Sequence, residues 1–179
     1  LISRDPEGEI LQRLTYDVTQ RVQLEQALKR LSFEDTLTGL YNRNHFNYIE
    51  AQMIETPPAC LGVVCVELNG LKLVNDRNGH LAGDEMLRRT AAWIQEAFPN
   101  MAHRMGGDEF LILDTERKEE EFQNAVRQMA NALERAQISA SVGVSWRGVR
   151  CDIRLQVKEA DRAMYQQKAN FYKAVSLGK

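Results

Sequence analysis

Apolar residues along this chain fall into runs of two different periods. Cys60-Leu61-Gly62-Val63-Val64-Cys65-Val66, within the stretch Ala59 to Leu68, is short, nearly unbroken and rich in β-branched residues. It predicts a central strand buried on both faces. Leu87, Ala91, Ile94 and Phe98 recur at intervals of 4, 3 and 4, which predicts an amphipathic helix from Asp84 to Phe98, ended by Pro99. Met101 to Leu113 holds two short apolar segments around Gly106-Gly107, a hairpin pattern in which both glycines can take positive φ. Phe122, Val126, Met129 and Leu133 mark another helix with an acidic, exposed start, and Ile138 to Ser145 alternates as a strand whose small residues allow close packing. Val157, Ala160, Ala163, Met164 and Gln167 form one face of a last helix, which also carries Asp161 and Lys168. Upstream, Phe46, Ile49 and Met53 predict a helix closed by Pro57-Pro58. Val18, Val22, Leu24, Leu28 and Leu31 predict an amphipathic helix over residues 17–32, with Asp17 or Thr19 as its cap. Residues 1–16 carry a turn signal, Asp5-Pro6-Glu7-Gly8-Glu9, and read as a strand remnant.

The order from residue 33 is helix, strand, helix, two-stranded hairpin, helix, strand, helix. It resembles a ferredoxin-like palm, an α+β domain with a mainly antiparallel central sheet covered by helices on one face, here preceded by a linker helix. In such a sheet the end of the first strand and the hairpin turn lie side by side, so Glu67 and Asp108 are expected to converge.

Composition narrows the class. With 179 residues, 44% hydrophobic and 27% charged, the chain can bury one substantial core and carry a short appendage. A net charge of -2 argues against broad nucleic-acid binding. No run is long enough to cross a bilayer and no signal-peptide pattern opens the chain. The first residue, Leu1, suggests a fragment of a longer protein, with any membrane anchor or sensory region upstream of a cytoplasmic domain. Cys60, Cys65 and Cys151 lack the spacing of a zinc site and read as free thiols in a reducing compartment.

The chemistry concentrates around the hairpin. Asp108 and Glu109 directly follow Gly106-Gly107 and directly precede the apolar run Phe110 to Leu113. A buried unpaired carboxylate costs roughly several kcal/mol, so acids at the edge of a core call for a metal ion or a basic group. On its own the motif is equally an ordinary hairpin with solvated acids. Glu67 stands at the C-terminal end of the central strand, where a ligand-facing acid is placed in open sheets. The polar, glycine-bearing stretch Asn69 to Asp84 reads as a loop able to offer amide and carboxylate groups to a nucleobase; a carboxylate suits the N1 and N2 donors of guanine. Asp35 and Arg43 are placed to pair across the turn at Gly39, and His45 reads as a surface or packing residue.

Four segments share one order with a known family: Asp35-Thr-Leu-Thr-Gly-Leu-Tyr-Asn-Arg43, Leu68-Asn-Gly-Leu-Lys-Leu-Val-Asn-Asp76, Gly79-His-Leu-Ala-Gly-Asp84 and Gly106-Gly-Asp-Glu-Phe110. With Ser141-Val-Gly-Val-Ser145 and Ala160-Asp-Arg-Ala-Met-Tyr165, they resemble the GGDEF diguanylate cyclases over residues 33 to about 172. Asp17-Val-Thr and the helix after it are similar to the exit of a PAS-like domain into a signalling helix. The resemblance implies a PAS-like remnant over 1–16, a signalling linker over 17–32 and a catalytic domain over 33–179.

It also implies the reaction: two GTP molecules condense into cyclic di-GMP and two pyrophosphates, with Mg²⁺ or Mn²⁺, in bacterial second-messenger signalling. Glu67, Asp108 and the backbone carbonyl of Leu68 match the metal ligands, and Asp108 and Glu109 match the catalytic acids. Asn75 and Asp84 match the guanine-reading pair, Lys72 and Lys168 match phosphate contacts, and Gly106 and Gly107 let the backbone approach the nucleotide. Each domain presents one GTP, so the resemblance implies a homodimer of antiparallel half-sites paired through the linker helix. Nucleic acid and membrane are not expected partners of this fragment.

Three departures set this chain apart. Glu67 replaces the usual aspartate, and its extra methylene moves a bound cation by about a bond length. The family's product-inhibition motif falls on Ala97-Phe98-Pro99-Asn100, without its two charged anchors, which predicts no tight feedback site there. The phosphate-binding arginine after the final helix lysine is replaced within Phe171-Tyr172-Lys173, leaving Lys173 or Arg104 as possible substitutes. The alternative function is a weakly active or inactive GGDEF domain that serves as a GTP-binding or partner-binding module.

Overall fold

The central strand is β2, Leu61–Leu68, which is buried along its length except at Glu67. A computed structural model describes residues 32–177; the expected PAS-like remnant and nearly all of the linker helix lie outside these residues. The described elements are β1 (Tyr41–Asn42), α1 (Arg43–Glu55), β2, α2 (Leu71–Asn78), α3 (His80–Ala97), β3 (Ala102–Gly106), β4 (Glu109–Asp114), α4 (Glu119–Arg135), β5 (Ala140–Arg147) and α5 (Ile153–Leu177). They build a five-stranded sheet in the order β1-β3-β4-β2-β5. Strand β2 runs antiparallel to both β4 and β5, β3 and β4 form the hairpin, and β1 lies parallel to β3.

Alternation along β2 divides the core. Val64, Val66 and Leu68 face α3 and α4, where they meet Ile94, Phe98, Phe122 and Met129. Leu61, Val63 and Cys65 face α1 and α5, where they meet Phe46, Ile153, Ala160 and Met164. Helices therefore cover both faces of the sheet, not one. A strand buried on both sides needs an apolar residue at nearly every position, which is why β2 reads as an unbroken run. Close packing sets the position of α5. A Cβ on Gly143 of β5 would lie 1.9 Å from the carbonyl oxygen of Ala160 and 2.3 Å from the amide nitrogen of Met164.

Several expectations change. The stretch Asn69 to Asp84 holds α2 and the start of α3, not a loop. Helix α2 has no buried residue and is bracketed by Gly70 and Gly79, both at positive φ, so it has no apolar stripe to reveal it. Strand β1, two residues long, is too short to carry a period. Asp35 does not pair with Arg43. Its carboxylate accepts from the amide and hydroxyl of Thr38, at 2.9 and 2.7 Å, and pairs with Arg104 at 3.1 Å. The Arg43 Nε instead donates to the carbonyl of Met105 at 2.8 Å. The three cysteines are free, with Cys65 and Cys151 buried. No described helix is long and apolar enough to cross a membrane.

His45 is a packing residue, as expected. Its ring stacks on Tyr41, with centroids 3.8 Å apart, and its Nδ1 lies 2.9 Å from Nε2 of the buried His103. Burial, and then the neighbouring His45, pulls the pKa of His103 from 6.5 down to about 4. The unfolded chain therefore takes up this proton first, so His103 favours the fold above pH 6.5 and loses that contribution as pH falls toward 4. Urea unfolding across this range should show stability falling by about 3 kcal/mol from this group. His103→Gln should flatten the slope, and an unchanged slope would assign it to other residues.

Candidate nucleotide and metal site

The site forms where β2 leaves the core. The Leu68 amide donates to the carbonyl of Asp108 at 3.1 Å, which joins the strand end to the turn of the hairpin. Asn69, buried just beyond, fastens the same point to β5: its amide donates to Ser139 O at 2.9 Å, its side-chain nitrogen donates to Ser139 Oγ at 3.1 Å, and its oxygen accepts from Ser141 Oγ at 3.0 Å. Glu67 of β2 and Asp108 of the β3–β4 turn, distant in sequence, are thereby brought to one edge of the sheet.

The hairpin is shaped by its glycines and held by two arginines. Gly106 and Gly107 have φ of 141° and 55°, conformations that L side chains rarely adopt, and the β3–β4 register shifts between Arg104 and Gly106. Arg104 donates to the carbonyl of Gly107 through Nε and Nη2, at 3.1 and 2.8 Å, while its Nη1 holds Asp35. Arg104 thus ties the hairpin turn to Asp35. Thr38, ahead of Arg104, holds the Asp35 carboxyl below its ordinary pKa, against the opposing effect of burial.

Charge defines the centre. In the β2–β4 register Glu67 stands directly opposite Glu109, and like charges so placed repel. Both follow the alternation of Cys65 and Leu111, toward the face covered by α5. From that helix the ammonium of Lys168 contacts Glu67 Oε1, and the two side chains are 25% and 14% exposed. Burial works to lower the Lys168 pKa, but the hydrogen bond and charge of Glu67, and then Asp108, hold it above its ordinary value. Lys168, expected as a phosphate contact, is here the partner of the acid expected to bind metal.

Along the same edge, α2 begins three residues after Leu68 and carries Lys72, exposed, in its first turn. Asn75 packs against α3 where Gly83 leaves room; a Cβ there would fall 1.9 Å from its Oδ1. That Oδ1 is buried without a hydrogen-bond partner, and half-buried Asp84 follows Gly83 directly. Gly83 was not singled out from the sequence. The signal for it is a small residue beside Asp84 on a helix that must meet α2 closely.

Glu67, Asp108 and the Leu68 carbonyl are hard oxygen donors of the kind that suits Mg²⁺ or Mn²⁺. Their need for positive charge is visible in the ammonium they already hold. Among the described residues no three His, Cys, Asp or Glu side chains form a complete metal cluster. Mg²⁺ sites in general are completed by substrate phosphates and water beside one or two carboxylates. The donor set fits such an ion, provided that Lys168 gives way.

The corner expected to lack a feedback site is occupied by structural contacts. The Arg117 guanidinium donates to the carbonyl of Ala97 at 3.1 Å, pairs with Asp114 at 2.7 Å and lies over the Phe98 ring, 5.1 Å from its centroid.

A family model described as "Diguanylate cyclase, GGDEF domain" matches residues 32–173, and the chain belongs to the GGDEF family of cyclic di-GMP metabolism. An uncharacterized signaling protein of Caulobacter vibrioides is 40% identical over 102 residues, covering 54% of this chain and 13% of the relative. The cyclic di-GMP phosphodiesterase PdeR of Escherichia coli is 30% identical over 168 residues, covering 85% of this chain and 25% of the relative. The chain thus spans a quarter or less of these two curated relatives. Among solved structures, a microbial GGDEF domain studied with cyclic di-GMP is 30% identical with a TM-score of 0.70, covering 80% of this chain and 94% of that one. The coiled coil and GGDEF domain of DgcB from Caulobacter crescentus, in complex with cyclic di-GMP, is 21% identical with a TM-score of 0.74, covering 93% and 96%, and shares the fold.

Replacing Arg104 removes both hairpin bonds and leaves the Asp35 carboxylate unpaired. Arg104→Ala should cost about 1–3 kcal/mol in chemical denaturation at neutral pH. Because the folded pKa of Asp35 is depressed below 3.8, its contribution is present above that pH and is lost as pH falls through the folded value. The gap between wild type and the variant should therefore narrow at the acid end, and a gap constant to pH 3 would contradict the assignment.

Proposed function

We propose that this domain is a diguanylate cyclase that condenses two GTP into cyclic di-GMP and two pyrophosphates, acting as a homodimer in bacterial second-messenger signalling. The observation that carries this reading is the Leu68–Asp108 hydrogen bond, which brings an acid of β2 and an acid of the β3–β4 turn to one edge, beside the Asn75–Gly83 contact. The 3′-hydroxyl of each nucleotide in turn attacks the α-phosphorus of the other; in each of the two attacks an O–P bond forms and a bond to pyrophosphate breaks, and the second attack closes the ring. A Mg²⁺ or Mn²⁺ ion held by Glu67, Asp108 and the Leu68 carbonyl would offset phosphate charge and lower the pKa of the hydroxyl. Asp108 or Glu109 takes up the hydroxyl proton.

Asp84 accepts from the N1 and N2 donors of guanine, and the Asn75 amide serves the neighbouring edge of the base. Lys72 neutralises phosphate charge, as does Lys168 once it leaves Glu67. At Gly106 and Gly107 no Cβ obstructs approach of the backbone to the nucleotide. One domain holds one GTP, so the reaction requires a second copy in antiparallel orientation, and a helix upstream would govern that encounter.

A second reading, a GTP-binding module with little or no turnover, is favoured by the Lys168–Glu67 pair and by glutamate in place of aspartate. Incubation of the purified protein with GTP and either Mg²⁺ or Mn²⁺ separates the two. Cyclic di-GMP and pyrophosphate are the expected products, and Asp108→Ala should reduce them at least about a hundredfold without changing the circular dichroism spectrum. GTP binding without product under either metal would establish the second reading.

A further inference from the structure

We propose that Lys168 is a built-in counter-cation of the acid cluster, and that a divalent ion enters the site only by displacing it from Glu67. The inference rests on reading Glu67 and Asp108 as metal-holding acids, and it adds a competition between the metal and a residue of α5.

Three features of the fold support it. Glu67 and Glu109 face each other across β2 and β4 and Asp108 adjoins them, so negative charge gathers at the rim of an apolar core. Glu67, whose side chain is 14% exposed, gains from a nearby cation, while Glu109 is open to solvent. Next, α5 aims Lys168 at this point. Met164 is packed in the core beneath that helix, and residues four apart share a helical face. The backbone of the same turn is seated on Gly143, which fixes its height above the sheet. Finally, glutamate at position 67 reaches about 1.5 Å further than aspartate would, by one carbon–carbon bond, and this lengthens its reach toward α5. The departure at position 67 and the lysine contact are thus parts of one arrangement. An ammonium held on Glu67 Oε1 takes one lone-pair direction of the carboxylate and repels a second cation brought to it, so the two cations compete at Glu67.

The test is Mn²⁺ binding in the absence of nucleotide, followed by electron paramagnetic resonance. Lys168→Met should bind Mn²⁺ about three- to tenfold more tightly than wild type, the range expected from removing a partly exposed ion-pair competitor. Lys168→Arg, which keeps the charge, should bind as wild type does. In the wild-type protein, saturating Mg²⁺ should shift the side-chain ammonium NMR resonance of Lys168, assigned by its loss in Lys168→Arg. Equal or weaker Mn²⁺ binding by Lys168→Met, or an ammonium signal unmoved by Mg²⁺, would overturn the proposal. Cyclic di-GMP synthesis by wild type alongside either result would remove this inference and leave the cyclase reading standing. Absence of synthesis would remove the cyclase reading while the Mn²⁺ titration still decided the competition.

Discussion

The constraint on which this structure turns is electrostatic: two glutamates face each other across neighbouring strands, and an aspartate ends the turn beside them. Glu109 is exposed to solvent, but Glu67 is half-buried beside it, and a compensating charge there is favourable. Much of the surrounding architecture supplies it or keeps it in place. Helix α5 brings a lysine, Asn69 anchors the end of β2 to β5, and the hairpin is held so that Asp108 cannot drift away from Leu68.

Arg104 extends this frame toward the N-terminal side of the domain. One guanidinium touches Asp35, at the start of the described region, and Gly107, in the turn that carries the acids. Arg43, the first residue of α1, adds a further bond to the same hairpin at Met105. Asp35 and Gly107 are thus joined through a single side chain, by polar contacts at the edge of the sheet.

The sequence was legible where burial imposes a period. β2, α3, α4, β5 and α5 could be read because each sets an apolar face against a neighbour, and the glycine pair announced the hairpin. The convergence of Glu67 with Asp108 also followed from topology. Elements without a fully buried residue were hidden: α2 offers only partly buried or exposed apolar positions such as Leu71 and Leu73, and β1 has two residues, neither buried. Pairing choices were harder still. Asp35 has Arg43 near it in sequence but takes Arg104, 69 residues away, because the parallel β1–β3 contact brings them together. Lys168 matched a phosphate contact by motif alone, and its contact with Glu67 depends on the height of α5 above the sheet, which no local pattern encodes. The same holds for Gly83, whose importance lies in the asparagine that fills the space beside it.

The corner at Ala97 to Asn100 has a consequence for engineering. Arg117 occupies it, bonded to the end of α3, stacked on Phe98 and paired with the fully buried carboxylate of Asp114. An arginine introduced at 97 and an aspartate at 100 would set new charges beside one already engaged, and removing Arg117 first would strand Asp114 without its cation. Each single substitution is unfavourable on its own, so grafting charged anchors onto this corner requires several changes made together.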